Sequence, residues 1–400
     1  MGNAGLNSTP SADRVHIGIF GRRNSGKSSL INALTGQNLA IVSDVLGTTT
    51  DPVLKAMEIL PLGPVVIIDT PGLDDEGELG KLRVEKAYNA LNKTDIGILT
   101  VDANVGMTDA DRNILKAIKD KKIPYIIVLN KCDEIEILPE IRDDEILVSA
   151  KTGENIRELK DRLAGLIPQK EEEFPIISDK VSAGNFAVLV IPIDAAAPKG
   201  RLILPQQQTI RELLEAGVTS VVCREFELEQ TLKGLAKKPK VVITDSQAFK
   251  FVSQVVPEDI LLTSFSILFA RRKGDLQEVV NGAKFISTLK GGEKILISEG
   301  CTHHRQCGDI GTEKLPNLIR KFTGSDFEFS FSSGTEFPRD LQQYSLVIHC
   351  GGCMLNPKEM KHRIKCAKEN GVPITNYGTS IAYMNGILER SLKIFPEIKL

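Results

Sequence analysis

The residues best suited to chemistry in this sequence fall into two groups. One begins at Gly21-Arg-Arg-Asn-Ser-Gly-Lys-Ser28, which fits G-x-x-x-x-G-K-[S/T] without a gap. Gly21 and Gly26 free the backbone to curl, so that its N–H groups converge on phosphate oxygens. Asn24, Ser25 and Ser29 belong to the same phosphate-binding set. Lys27 brings a positive charge to the β and γ phosphates, and Ser28 offers a hydroxyl to a magnesium ion. Asp69-Thr-Pro-Gly72 comes next, with Asp69 placed to hold magnesium through water and the Gly72 N–H to sense a γ-phosphate. In Asn130-Lys131-Cys132-Asp133 the last carboxylate accepts two hydrogen bonds from guanine N1 and N2, a pair that adenine lacks. Ser149-Ala150-Lys151 supplies a backbone N–H, that of Ala150, for the guanine oxygen. Four motifs in order specify a site for GTP and GDP with Mg2+.

The other group is Cys301-Thr-His303 with His349-Cys350-Gly-Gly-Cys353. The C-x-x-C spacing lets two thiolates reach one metal from a single turn, and the intervening glycines remove side chains from it. Three chemistries use such a set: structural zinc on three Cys and a His, a 4Fe–4S cluster on three Cys with an exchangeable fourth ligand, and a redox-active dithiol. The chain has seven Cys in all. Cys132, Cys223 and Cys366 stand apart and read as small apolar residues. His304 and Cys307 do not fit the motif spacing, and His16 and His362 read as structural.

Each motif has to sit at the end of a strand. Apolar runs at Val15–Phe20, Val65–Asp69, Ile96–Val101, Tyr125–Leu129 and Ile146–Val148 alternate with helical patterns such as Gly80–Leu91, Asp109–Lys119 and Asn155–Leu166. That rhythm predicts a mostly parallel sheet with helices on both faces. It resumes after Pro168-Gln-Lys-Glu-Glu-Glu-Phe-Pro175, a charged run between prolines that reads as a linker. Strands are expected at Phe186–Ile191, Val218–Cys223, Val241–Thr244 and Ile260–Thr263, then at Lys294–Ser298, Phe327–Ser332 and Ser345–His349. A helical pattern from Leu268 to Leu289 is broken around Gly274-Asp275. The expected class is α/β in three domains, each a mainly parallel sheet flanked by helices. The domains are 14–168, 176–267 and 268–400, with a flexible N-terminus at 1–13 and a linker at 169–175. Cys301 and His349 each follow a strand, and adjacent parallel strands converge at one edge, which brings them within reach of one centre.

Composition narrows the classes. Net charge is −2, there is no Trp, and Tyr numbers only five, which argues against a nucleic-acid-binding surface. Residues 1–14 have no apolar core of the signal-peptide kind, and no apolar run reaches the roughly 18 residues of a membrane span. A cytoplasmic protein with no membrane partner is expected.

Residues 14–168 resemble the Era/TrmE-like group of P-loop GTPases, through the four motifs above and through Gly47-Thr48-Thr49, which is similar to that group's switch I. The resemblance implies a P-loop GTPase fold, with Thr49 as a magnesium ligand in the GTP state. Lys27, Asn24, Thr49 and Gly72 would carry catalysis. Leu73 stands where Ras-like enzymes place a water-orienting Gln. In the TrmE-like group an Asn at the Asn24 position helps bind K+, so slow, potassium-stimulated hydrolysis is expected.

A GTPase domain followed by C-x-H…H-C-x-x-C resembles the HydF family of iron–iron hydrogenase maturation GTPases, and the stretch Ile193–Pro205 extends the resemblance through the middle of the chain. It implies a 4Fe–4S cluster on Cys301, Cys350 and Cys353, with His303, His349 or Asp194 at or near the fourth site. It further implies a transient diiron subcluster precursor as cargo, radical-SAM maturases and apo-[FeFe]-hydrogenase as partners, and a homodimer formed by the middle domain. Two other readings stand beside it. One is an RNA-acting GTPase with a structural zinc site, against which Lys237-Lys-Pro-Lys240 is basic but short and reads as a solvated turn. The other is a redox sensor using Cys350 and Cys353.

Overall fold

A computed structural model describes residues 11–36, 52–73, 77–135, 140–167, 174–193, 202–300, 309–334, 337–338, 340–353 and 355–400. The chain divides into two compact units, residues 1–171 and 172–400.

In the first unit, six strands form one sheet: β1 (Val15–Phe20), β2 (Val53–Ile59), β3 (Gly63–Asp69), β4 (Ile96–Asp102), β5 (Tyr125–Asn130) and β6 (Glu145–Val148), in the order β2-β3-β1-β4-β5-β6. All neighbours are parallel except β2 and β3. The central strands are apolar on both faces because helices cover both. Ile17 and Ile19 pack with Leu30, Ile31 and Leu34 of helix Lys27–Thr35 and with Leu159 and Leu163 of helix Ile156–Gly165. Phe20, Ile68 and Leu99 pack with Ile114, Leu115 and Ile118 of helix Asp109–Asp120 on the other face. Each such fully buried side chain contributes about 1.5–3 kcal/mol. Sequence periodicity missed β2. Its residues alternate between exposed and half-buried, because it is an antiparallel edge strand with one face in solvent.

The second unit holds two sheets. Strands β7 (Phe186–Val190), β8 (Thr219–Cys223), β9 (Val241–Thr244) and β10 (Leu261–Ser264) are ordered β10-β9-β7-β8. Strands β11 (Lys294–Ser298), β12 (Glu328–Ser332), β13 (Leu346–His349) and β14 (Ile374–Asn376) are ordered β12-β11-β13-β14. Both are wholly parallel, and both place their third strand beside their first. In each, the order therefore reverses at one crevice, between β7 and β9 and between β11 and β13, where open parallel sheets bind ligands at their carboxyl ends.

The boundary expected at 267–268 falls inside helix Phe265–Lys273. The break expected at Gly274-Asp275 is present: the helix stops at Lys273, and Asp275 caps helix Leu276–Phe285 by accepting from the Glu278 N–H. Phe265, Ile267, Leu268 and Phe269 are buried in the core of the middle sheet, and so are Ile387, Leu388, Leu392, Ile394 and Phe395 from the far end of the chain. The far end of the chain thus completes the core of the middle sheet, while β11–β14 pack into two further clusters of their own; no local pattern announces this.

Candidate functional site

The nucleotide motifs lie where strand ends meet. Gly26 caps helix Lys27–Thr35 with φ 88°, and Asn24 also has a left-handed backbone, φ 59°. Gly26 is obligatory: a Cβ there would lie 2.1 Å from Asn130 Nδ2. The Lys27 ammonium donates to the carbonyls of Gly21 at 2.8 Å and Arg22 at 2.6 Å, across the mouth of the loop. Ser28 and Ser29 begin the helix. Asp69 ends β3 beside β1, opposite Ile19. Burial pushes the Asp69 carboxyl up, and the charges of Lys27 and Lys55 pull it down by less. Thr70 anchors the following turn by donating to the Ile19 carbonyl at 2.6 Å. Thr49 lies outside the described residues.

Asn130 joins the phosphate and base motifs. Its Nδ2 donates to the Ser25 carbonyl and its Oδ1 accepts from the Ala150 N–H, both at 3.0 Å. Lys131 pairs with Asp102 at 2.6 Å. Asp133 is held below the usual carboxylate range, first by a hydrogen bond from Ser149, and Lys151 lies 3.8 Å away. The carboxylate is therefore ionised and able only to accept, as pairing with guanine N1 and N2 requires. Leu73 is 7% exposed and packs into the apolar core with Phe20, Ile68 and Leu99.

At the second site, Ser298 of β11 pairs with His349 of β13, and the Cys350 N–H donates to the Ser298 carbonyl at 2.9 Å. The two strand ends expected to converge are adjacent. Cys301, His303, His304, Cys307 and Asp194 lie outside the described residues. Cys350 Sγ accepts from the Gly300 N–H at 3.1 Å and the Gly352 N–H at 3.4 Å, a pattern that stabilises thiolate over thiol. Gly352 has φ 60°, and a Cβ on it would meet Met360 Sδ at 2.8 Å. Among the described residues no three His, Cys, Asp or Glu side chains gather at one point; what the turn shows is two N–H groups on the Cys350 sulfur and a close glycine wrapping, both suited to a thiolate.

His349 adjoins the cysteine turn. It is 1% exposed, its Nδ1 lies 2.7 Å from the Cys350 carbonyl, and its Nε2 lies 2.9 Å from Arg363 Nη1. Both ring nitrogens are engaged behind the turn, so the ring supports Cys350 and is not placed as a ligand. Cys132 and Cys223 are buried, as small apolar residues should be.

Residues 176–274 match the hydrogen maturase F dimerization domain and residues 277–394 the hydrogen maturase F tetramerization domain, following residues 16–131, which match a GTPase model described as 50S ribosome-binding GTPase. The chain belongs to the hydrogen maturase F (HydF) family. It carries both of that family's oligomerisation domains behind a P-loop GTPase domain. Over the GTPase region the chain is similar to the tRNA modification GTPase MnmE of Dechloromonas aromatica, 36% identical over 154 residues, covering 37% of this chain and 34% of that protein. MnmE of Acetivibrio thermocellus is 40% identical over 162 residues, covering 38% and 34%. The chain spans about a third of the length of these curated relatives. Among solved structures, a variant of Aquifex aeolicus Era bound to GDP·AlF4− has a TM-score of 0.35 at 23% identity, covering 52% of this chain and 91% of that one. A probable GTP-binding protein engB has a TM-score of 0.32 at 25% identity, covering 39% and 100%.

In this HydF-family chain several site residues escaped sequence reading. Arg363, wholly buried, pairs with Glu359 at 2.9 Å, donates to the Gly334 carbonyl at 2.8 Å and lies over the Phe337 ring. Tyr377 donates to Glu299 at 3.2 Å beside the cysteine edge, and burial, then the Glu299 and Cys350 charges, push its hydroxyl well up. Asp111, buried beside Arg22 of the phosphate loop at 3.3 Å, also caps helix Asp109–Asp120 through Thr108. Helical spacing marks such charged residues only as solvent-facing. A polar residue interrupting an apolar stripe was the one available signal.

Proposed function

We propose that this HydF-family GTPase is a scaffold that carries a diiron subcluster precursor and delivers it to apo-[FeFe]-hydrogenase, using a 4Fe–4S cluster held by Cys301, Cys350 and Cys353. The observation that carries the reading is the Cys350 turn. It sits at the reversal crevice of the last sheet, with two backbone N–H groups on the sulfur. Such a cluster would supply an iron site with an exchangeable ligand. His303 and Asp194 remain the candidates for that position, and His349 is assigned to support. Radical-SAM maturases are the proposed source of the cargo, and the homodimer is proposed to form through residues 176–274.

At the nucleotide site Lys27 binds the β and γ phosphates, Ser28, Thr49 and Asp69 would hold Mg2+, and Gly72 reports the γ-phosphate. Asp133 selects guanine, and the Ala150 N–H, which here donates to Asn130 Oδ1, would exchange that acceptor for the guanine oxygen. With Leu73 buried in the core, no side chain from that position orients water. Asn24 is proposed to help hold K+, which would add positive charge at the phosphates. Turnover is then slow, suited to a switch that controls partner exchange. A soluble, cytoplasmic protein fits this role, and among the described residues no helix is long and apolar enough to cross a membrane.

Similarity to MnmE favours one alternative, an RNA-acting GTPase with structural zinc. Anaerobic reconstitution followed by iron and zinc analysis and EPR separates the two. About four irons per chain and a reduced-cluster signal that disappears in Cys350→Ala support the carrier. One tightly bound zinc without a cluster, together with salt-sensitive RNA binding, would overturn it.

A further inference from the structure

We propose that Lys273 is the positioning residue that shapes the Cys350–Cys353 turn, acting from a helix seated in the core of the neighbouring sheet. The proposal rests on the cluster reading for what the turn holds. It stands on separate geometry for how the turn is held.

Lys273 is the last residue of helix Phe265–Lys273, which starts at the end of β10 with Ser264 as its cap. The helix buries Phe265, Ile267, Leu268 and Phe269 in the core of the middle sheet. Lys273 is itself 3% exposed, an unusual place for an ammonium group. Its Nζ donates to the carbonyls of Gly352 at 3.3 Å, Cys353 at 3.2 Å and Leu355 at 3.0 Å. Three carbonyls of one short turn therefore converge on a single cation. In a trans peptide the C=O and N–H point opposite ways, so aiming the Gly352 carbonyl at Lys273 aims the Cys353 N–H away from it. The turn is polarised: carbonyls run to the ammonium, while the Gly352 N–H runs to the Cys350 sulfur.

The next residue fixes the helix against the other side of the site. A Cβ on Gly274 would lie 2.7 Å from Ile364 Cδ1, so helix Phe265–Lys273 ends hard against helix Pro357–Glu369, which carries Arg363 and through it His349. Lys273 falls at the end of the matched dimerization domain, and its acceptors belong to the next domain. Any displacement of the helix moves the ammonium, and the cysteine turn must follow or lose its donors.

The test compares the full-length protein with Lys273→Met, which keeps the length of the stem and removes every donor, and with Lys290→Met as an exposed control. Hydrogen exchange in the metal-free protein should rise about tenfold or more across residues 350–355 and stay unchanged at the nucleotide site. After reconstitution, Lys273→Met should show a shifted cluster EPR line shape and about tenfold faster iron loss to a chelator, and Lys273→Arg should recover part of both. Should Lys273→Met fail to fold, Lys273→Gln, with two donors on a shorter stem, is expected to show the same changes at smaller size. A folded Lys273→Met with unchanged exchange, line shape and iron loss overturns the proposal. Faster exchange in a protein whose wild type takes up no cluster upholds the positioning role and overturns the cluster reading alone.

Discussion

Arg363 Nη1 lies 2.9 Å from His349 Nε2, and a guanidinium can only donate. His349 Nε2 is therefore the acceptor, and the ring proton sits on Nδ1, where it donates to the Cys350 carbonyl at 2.7 Å. One buried cation thus sets the tautomer of the residue preceding the C-x-x-C turn. Arg363→Met leaves Glu359 buried and unpaired, so a loss of about 3–5 kcal/mol is expected in denaturant unfolding of the second unit. Unfolding of the GTPase unit, followed through bound fluorescent GDP, should stay at its wild-type midpoint.

Leu73 offers a sharper test of the hydrolysis chemistry. Its side chain lies in the core under β1, β3 and β4, so restoring the Ras-like residue should not restore Ras-like chemistry. Leu73→Gln is expected to leave single-turnover GTP hydrolysis no faster than wild type, and to destabilise the first unit by about 1–3 kcal/mol through a buried amide. A rise in turnover would mean that the side chain leaves the core in the GTP state.

Asn24 sits in the phosphate loop with a left-handed backbone that Asn tolerates better than most residues. Asn24→Gly keeps that conformation and removes the side-chain oxygen. Turnover in KCl should then fall to the level measured in NaCl, with GDP affinity changed by less than about threefold, or about 0.6 kcal/mol. Equal stimulation by the two salts in wild type would remove K+ from the mechanism.

Asp133 sets a pH dependence. The Ser149 hydrogen bond leads the influences that depress its pKa below the ordinary value of 3.8. A depressed carboxylate keeps its ionised contribution above 3.8 and loses it only as pH falls through the lower folded value. Magnesium-free GDP binding should therefore stay level from neutral pH down to about pH 4.5. In Ser149→Ala the decline should begin at a higher pH than in wild type. Fluorescence titration across that range provides the check.

Much of this was legible from local sequence. The phosphate loop, Asp69, Asn130 and Asp133 stand at strand ends because the apolar runs before them are short, continuous and bounded by polar turns. Ser298 and His349 pair across adjacent strands as their sequence context implies. Three features were hidden for physical reasons. Strand β2 has only Ile59 in the core, with Met57 packed beside it, too short an apolar stripe to stand out. Arg363 and Lys273 look like solvent-facing charges, since helical periodicity cannot show that a neighbouring helix or turn covers them. His349 has the spacing of a ligand, and only the position of Arg363 behind it shows that its nitrogens are in use.

The core of the middle sheet has a consequence for how the chain is made. Val188 and Leu189 of β7 share that core with Leu213, Phe249 and Leu268 but also with Ile394 and Phe395, so the core around the first strand of the second unit is completed only after roughly two hundred further residues. At a synthesis rate of about 5–20 residues per second, that core stays incomplete for about 10–40 seconds on the ribosome. The first unit closes its sheet by β6 and can form as it emerges. For the second, folding is a late event that needs nearly all of its length, and a nascent chain halted before residue 387 would expose the middle sheet to aggregation.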